Sequence, residues 1–157
     1  MAATFEERIT SSDGFGPVVI ADDDPAMRLM LAHTLQADGF DVFEAEDGFQ
    51  ALSALRRLSA AALVTDVVMP RMNGLQLVTG IRQLHRMMDL PVVVTTGLPP
   101  DDARIKARRR FDRLHILFKP FSPAALRCHL DVLTDSTGAE SVATPPAIAG
   151  SATDAFA

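Results

Sequence analysis

The chain has 157 residues, room for one domain of ordinary size and too little for a large multidomain enzyme or a membrane receptor joined to a soluble module. Hydrophobic residues make up 48% and charged residues 22%, the balance of a water-soluble globular protein. The formal net charge of −5 gives no global reason to expect nucleic-acid binding, and the single cysteine, Cys128, excludes an internal disulfide and fits a reducing compartment.

Residues 1–16 form a polar extension without the basic start and apolar run of a signal peptide. No apolar stretch reaches the roughly 18 residues needed to cross a bilayer. The expected location is the cytoplasm. The run Val18-Val19-Ile20-Ala21 is continuously apolar and ends in three acids, as a buried parallel strand does. Pro25 suits the first position of a helix with Asp24 as its cap, and Met27, Met30, Leu31, Thr34 and Leu35 recur at helical spacing. Gly39 supplies the stop. A second strand is expected over 41–45 and a helix over 49–58, with Leu52, Leu55 and Leu58 on one face. The third strand, 62–65, ends at Asp66. A loop through Pro70 and Gly74 leads to a helix carrying Leu75, Val78, Ile81 and Leu84. A fourth strand is expected over 91–95, a fourth helix over 100–111, and a fifth strand over 115–118, ending at Lys119. Ser122 caps a last helix with Pro123 first and Leu126, Leu130 and Leu133 buried. Residues 135–157 are rich in Ser, Thr, Ala, Gly and Pro and are expected to be a disordered tail.

Strict alternation of strand and helix predicts an α/β domain over 17–134, a parallel sheet covered on both faces. The expected architecture is a doubly wound, flavodoxin-like (βα)5 fold with strand order 2-1-3-4-5. Ligands in such sheets bind at the carboxyl ends of the strands. Those ends carry Asp22, Asp23 and Asp24, then Asp66, then Thr95-Thr96-Gly97, then Lys119-Pro120. Clustered carboxylates repel one another unless a cation relieves them. An all-oxygen site suits Mg²⁺, which binds through few carboxylates and is completed by water and phosphate. A nearby lysine would balance a phosphoryl group, and a hydroxyl would donate to one of its oxygens.

These segments resemble the receiver domain of two-component response regulators. The matching pieces are VVIADDDPAMR from Val18, TDVVMPRMNG from Thr65, PVVVTTG from Pro91 and FKPF from Phe118, in that order. The resemblance implies that Asp66 is the phosphoacceptor and that Asp22 and Asp23 are the acidic pair that helps Asp66 hold Mg²⁺. It further implies the backbone carbonyl of Val68 as a metal ligand, Thr96 as the switch hydroxyl and Lys119 as the partner of the phosphoryl group. The implied phosphodonor is a sensor histidine kinase or a histidine phosphotransfer protein, and the implied output is contact with a downstream protein. The Lys119–Pro120 bond is often cis in relatives. Asp24 falls outside the metal pair and is assigned to the helix cap.

The chain departs from that pattern at several places. The position three before the lysine, usually Tyr or Phe, is Ile116, so the aromatic switch is absent. Arg113-Leu114 replaces the usual Gly-Ala pair, and Pro99-Pro100 stiffens the loop after Thr96. Val68 and Leu98, each two residues beyond Asp66 and Thr96, are apolar. Apolar groups cannot orient an attacking water, so a long-lived phosphoryl group is expected.

Each feature also has a plainer reading. The acidic triplet alone reads equally as a helix cap, Thr96 alone as a strand end, and Lys119 alone as a solvated lysine. Arg104, Lys106, Arg108, Arg109, Arg110 and Arg113 read as a solvated face partly balanced by Asp101, Asp102 and Asp112, in preference to a docking face for an acidic partner or nucleic acid. His33, His85, His115 and His129 have no metal-ligand spacing, and Cys128 reads as a small helix residue.

The expected function is therefore a stand-alone receiver that signals by protein contact, is not an enzyme beyond its own phosphorylation and dephosphorylation, and binds neither nucleic acid nor membrane. A phosphorelay intermediate or phosphate sink fits the same residues. Asp22-x-Asp24 superficially fits the start of a haloacid-dehalogenase-type phosphatase, and a scaffold independent of phosphorylation is the third reading.

Overall fold

In the computed structural model, residues 16–134 are described; the 1–16 extension, apart from Gly16, and the tail over 135–157 lie outside them. Five strands and five helices alternate: β1 (Val18–Ala21), α1 (Pro25–Ala37), β2 (Val42–Ala45), α2 (Gly48–Arg57), β3 (Ala62–Asp66), α3 (Gly74–Arg82), β4 (Val92–Thr96), α4 (Ala103–Lys106), β5 (Leu114–Phe118) and α5 (Pro123–Thr134). Short 3₁₀ turns lie at His85–Met87 and Ala107–Arg110. The strands form one parallel sheet in the order β2-β1-β3-β4-β5, the expected flavodoxin-like order.

Burial follows directly from the sequence pattern. Every residue of β1, β3 and β4 is buried, because helices cover both faces of these central strands. Alternate side chains then feed two cores. Val19, Leu63, Val92, Val94 and Ile116 meet Leu55, Leu77, Ile81 and Ile105 on one face. Val18, Ile20, Val64, Val93 and Leu117 meet Leu31, Leu35, Leu126 and Leu130 on the other. Each fully buried aliphatic side chain contributes on the order of 1.5–3 kcal/mol relative to exposure.

The helix starts use the expected polar residues. The Asp24 carboxylate accepts from the Ala26 N–H at 3.0 Å, and the Ser122 hydroxyl accepts from the Ala125 N–H at 3.1 Å. Asn73 and Gln76 form a reciprocal capping box at α3. Gly39 ends α1 at φ +89, a conformation that disfavours side chains with a Cβ.

One element differs from expectation. The fourth helix does not run over 100–111. It begins after its Asp102 cap, lasts four residues and relaxes into the 3₁₀ turn. Ile105 is its one buried side chain, and the positions three and four further on are arginines. A helix without a continuing apolar stripe, crowded by like charges, gains too little from packing to extend. Leu84 likewise falls past the end of α3, at the 3₁₀ turn.

Candidate functional site

The carboxyl ends of β1 and β3 are neighbours in register, Ala21 opposite Thr65, so Asp22 and Asp66 leave the sheet side by side. One oxygen each from Asp22, Asp23 and Asp66 lie within 4.8 Å of one another. Lys119, just past β5, reaches across the sheet end. Its Nζ lies 3.3 Å from Asp66 Oδ2 and 3.5 Å from Asp22 Oδ2. Three carboxylates thus face one ammonium, an excess of two negative charges.

Asp22 is fully buried, whereas Asp23 is exposed. Burial pushes the Asp22 carboxyl above its ordinary range; the Asp24 N–H and the Lys119 charge pull it back, and Asp66 and Asp23 push it up again. Its Oδ1 accepts from the Asp24 N–H at 2.9 Å, while Oδ2 is buried without a hydrogen bond. A buried carboxylate oxygen served only by an ammonium at 3.5 Å, with no hydrogen bond, carries a desolvation cost that a bound cation would offset. The set is all oxygen, which fits a hard divalent cation of the Mg²⁺ type.

The loop after β3 is held tightly. The Gly74 N–H donates to the Val67 carbonyl at 2.9 Å, and a Cβ on Gly74 would stand 2.0 Å from the Asp66 carbonyl oxygen. Only glycine permits that approach. Val68 donates its N–H to Asp66 Oδ1 at 3.4 Å, and its side chain is half exposed beside the cleft. Thr96 is buried; its hydroxyl accepts from the Leu98 N–H at 3.0 Å, and its carbonyl accepts from the Lys119 N–H at 2.7 Å. The end of β4 therefore fixes the backbone of the lysine, and the Lys119–Pro120 bond is cis. Ile116 is buried in the core that holds Ile105 and Ile81.

Two supporting residues had no role assigned from the sequence. Arg28, on α1, donates to the Asp22 carbonyl at 2.7 Å and lies 3.9 Å from Glu44 and 3.7 Å from Glu46. In the sequence Arg28 shows only as the last residue of the segment VVIADDDPAMR, an arginine among Met27, Met30 and Leu31 with no role of its own assigned. Asp47 caps α2 through the Gln50 N–H at 2.9 Å and pairs with Arg71 of the β3–α3 loop.

The response regulator receiver domain model matches residues 18–131, nearly all of the described chain. The chain belongs to the response regulator receiver domain family. Chemotaxis protein CheY1 of Helicobacter pylori is 34% identical over 118 residues, covering 74% of this chain and 94% of that protein. Sensor protein EvgS of Escherichia coli is 37% identical over 116 residues, 74% of this chain. The chain spans only 9% of the length of that sensor protein and 12% of the sensor histidine kinase TmoS of Ectopseudomonas mendocina. Among solved structures, chemotaxis protein CheY4 of Vibrio cholerae superposes with a TM-score of 0.71 at 28% identity, over 76% of this receiver and 99% of that chain. No helix among the described residues is long and apolar enough to cross a membrane.

Proposed function

We propose that this receiver accepts a phosphoryl group on Asp66 from a histidine kinase or phosphotransfer partner and signals through protein–protein contact. One observation carries the reading: Lys119 Nζ stands 3.3 Å from Asp66 Oδ2 while the buried Asp22 Oδ2 beside it has no hydrogen bond. The site is built for more positive charge and for an incoming anion together.

Asp22, Asp23, Asp66 and the Val68 carbonyl would hold Mg²⁺, which when bound supplies charge neutralisation for the transferring group. The chain's own residues do the rest. An Asp66 carboxylate oxygen attacks phosphorus, an O–P bond forms, and the N–P bond to the donor imidazole breaks; the departing imidazole takes its proton from solvent. Lys119 offsets the charge on the phosphoryl oxygens, and the loop tied down by Gly74 keeps the nucleophile in place. The Thr96 hydroxyl, which accepts from Leu98, keeps its own proton free to donate to a phosphoryl oxygen. The new group biases the segment after β4 between two arrangements.

Asp24 is engaged as a helix cap, which supports the receiver reading over a phosphatase built on Asp22-x-Asp24. The likeness to nearly the whole of the chemotaxis protein CheY1 supports a receiver that signals by protein contact. The reading is tested by incubating wild-type protein and Asp66→Asn with a small phosphodonor and Mg²⁺, then comparing intact masses and captured proteins. Gain of one phosphoryl group and a changed capture set in wild type only is the expected result. Equal capture by both forms would favour a scaffold.

A further inference from the structure

Two histidines that stand fourteen positions apart in the sequence meet across β5 and α5. His115 Nδ1 lies 3.1 Å from His129 Nδ1, and the rings are edge-on at a centroid separation of 5.2 Å. Both side chains are half-buried, His115 on the strand and His129 on the helix packed against it. Their spacing in the chain showed nothing of this.

We propose that His115 and His129 form a two-histidine site for a borderline divalent cation of the Zn²⁺ or Ni²⁺ class, clipping α5 to β5. Metal–imidazole bonds of about 2.0–2.1 Å place two ligand nitrogens about 2.9 Å apart at a right angle and about 3.4 Å apart at the tetrahedral angle. The observed 3.1 Å lies between these limits. Without metal, one Nδ1–H donates to the other ring's Nδ1. With metal, both Nδ1 lone pairs turn to the ion and that proton moves through solvent to Nε2, so both rings are neutral Nε2–H tautomers. Burial favours neutral imidazoles in both residues, which keeps the lone pairs available.

The site is separate in chemistry from the acidic cleft. Imidazole nitrogens suit Zn²⁺ and Ni²⁺, and carboxylate oxygens suit Mg²⁺. Among the described residues no third His, Cys, Asp or Glu joins the pair, so water completes the coordination. The Arg108 charge acts on His115 and opposes a cation there, which sets a modest affinity. The inference does not rest on phosphorylation of Asp66.

The test uses the full chain in excess Mg²⁺ as a competitor for the acidic cluster. Zn²⁺ and, separately, Ni²⁺ are titrated while the ring signals of His115 and His129 are followed by NMR. One equivalent is expected to perturb both rings together. His115→Gln and His129→Gln are each expected to weaken binding at least tenfold, with Cys128→Ser unchanged. Rings left undisturbed by either metal, single variants that bind like wild type, or loss of binding in Cys128→Ser would overturn the proposal. Should a histidine variant fail to fold, the wild-type ring signals still decide.

Discussion

The two halves of the sheet are held by different means. Around β1 and β3, strand ends and loops are fixed by close contacts: the Gly74 backbone against Asp66, the Arg28 side chain on the Asp22 carbonyl, and the ion pair of Asp47 with Arg71. Beyond β4, the chain runs through a proline pair, a four-residue helix and a 3₁₀ turn, anchored by the buried Ile105 and the partly buried Leu98 and Phe111 and flanked by exposed Arg104, Lys106, Arg108 and Arg110. The carboxylates sit on the tightly held half. The segment that would respond to them is the loosely anchored one. Chemistry that depends on placement needs rigidity, and a two-state response needs an element whose alternatives cost little.

Glycines give the largest expected contrast between the halves. Gly74→Ala forces a Cβ into the Asp66 backbone and is expected to cost about 3 kcal/mol or more, read as a fall in denaturation midpoint. Gly97→Ala, with nothing within 4 Å of the new atom, is expected to stay within about 0.5 kcal/mol of wild type. Similar losses at both sites would erase the distinction. Ile116→Tyr restores an aromatic ring at the position where the family's switch usually stands. Because Ile116 is buried in a filled core, overpacking of about 1–3 kcal/mol is expected in equilibrium unfolding. Val68→Asn puts a polar group beside Asp66 and is expected to speed loss of the phosphoryl group several-fold; equal lifetimes would show that the apolar side chain does not protect it.

The smallest effect is pH dependence in the β5–α5 contact. Burial holds His115 and His129 below the ordinary imidazole value of 6.5, with His129 and Arg108 adding to the effect on His115. The unfolded chain therefore takes up these protons first as pH falls. Stability that is full above about 6.5 is lost as pH drops from there towards the lower folded values. Thermal unfolding of wild type is expected to show this slope, and His129→Gln is expected to flatten it.

Most of the architecture was legible because apolar runs such as Val18–Ala21 end in chemistry-bearing residues, and the fold gathers those ends at one edge. Asp22, Asp23, Asp66 and Lys119 meet there as their positions implied. The length of α4 was not legible, because helical propensity in an arginine-rich stretch says nothing of whether a buried stripe will support it. Arg28, Asp47 and the histidine pair were not legible either. Each acts through a partner on another element, and no local spacing records that partner.

The central claim is that Asp66, held beside Lys119 and the acidic pair, is the group that becomes phosphorylated. The most direct measurement is to load the full chain from a small phosphodonor with Mg²⁺, trap the acyl phosphate by borohydride reduction and map the modified residue. Modification at Asp66, abolished in Asp66→Asn and strongly reduced in Lys119→Ala, is the predicted result. Modification at Asp22, or undiminished labelling of Asp66→Asn, would contradict it.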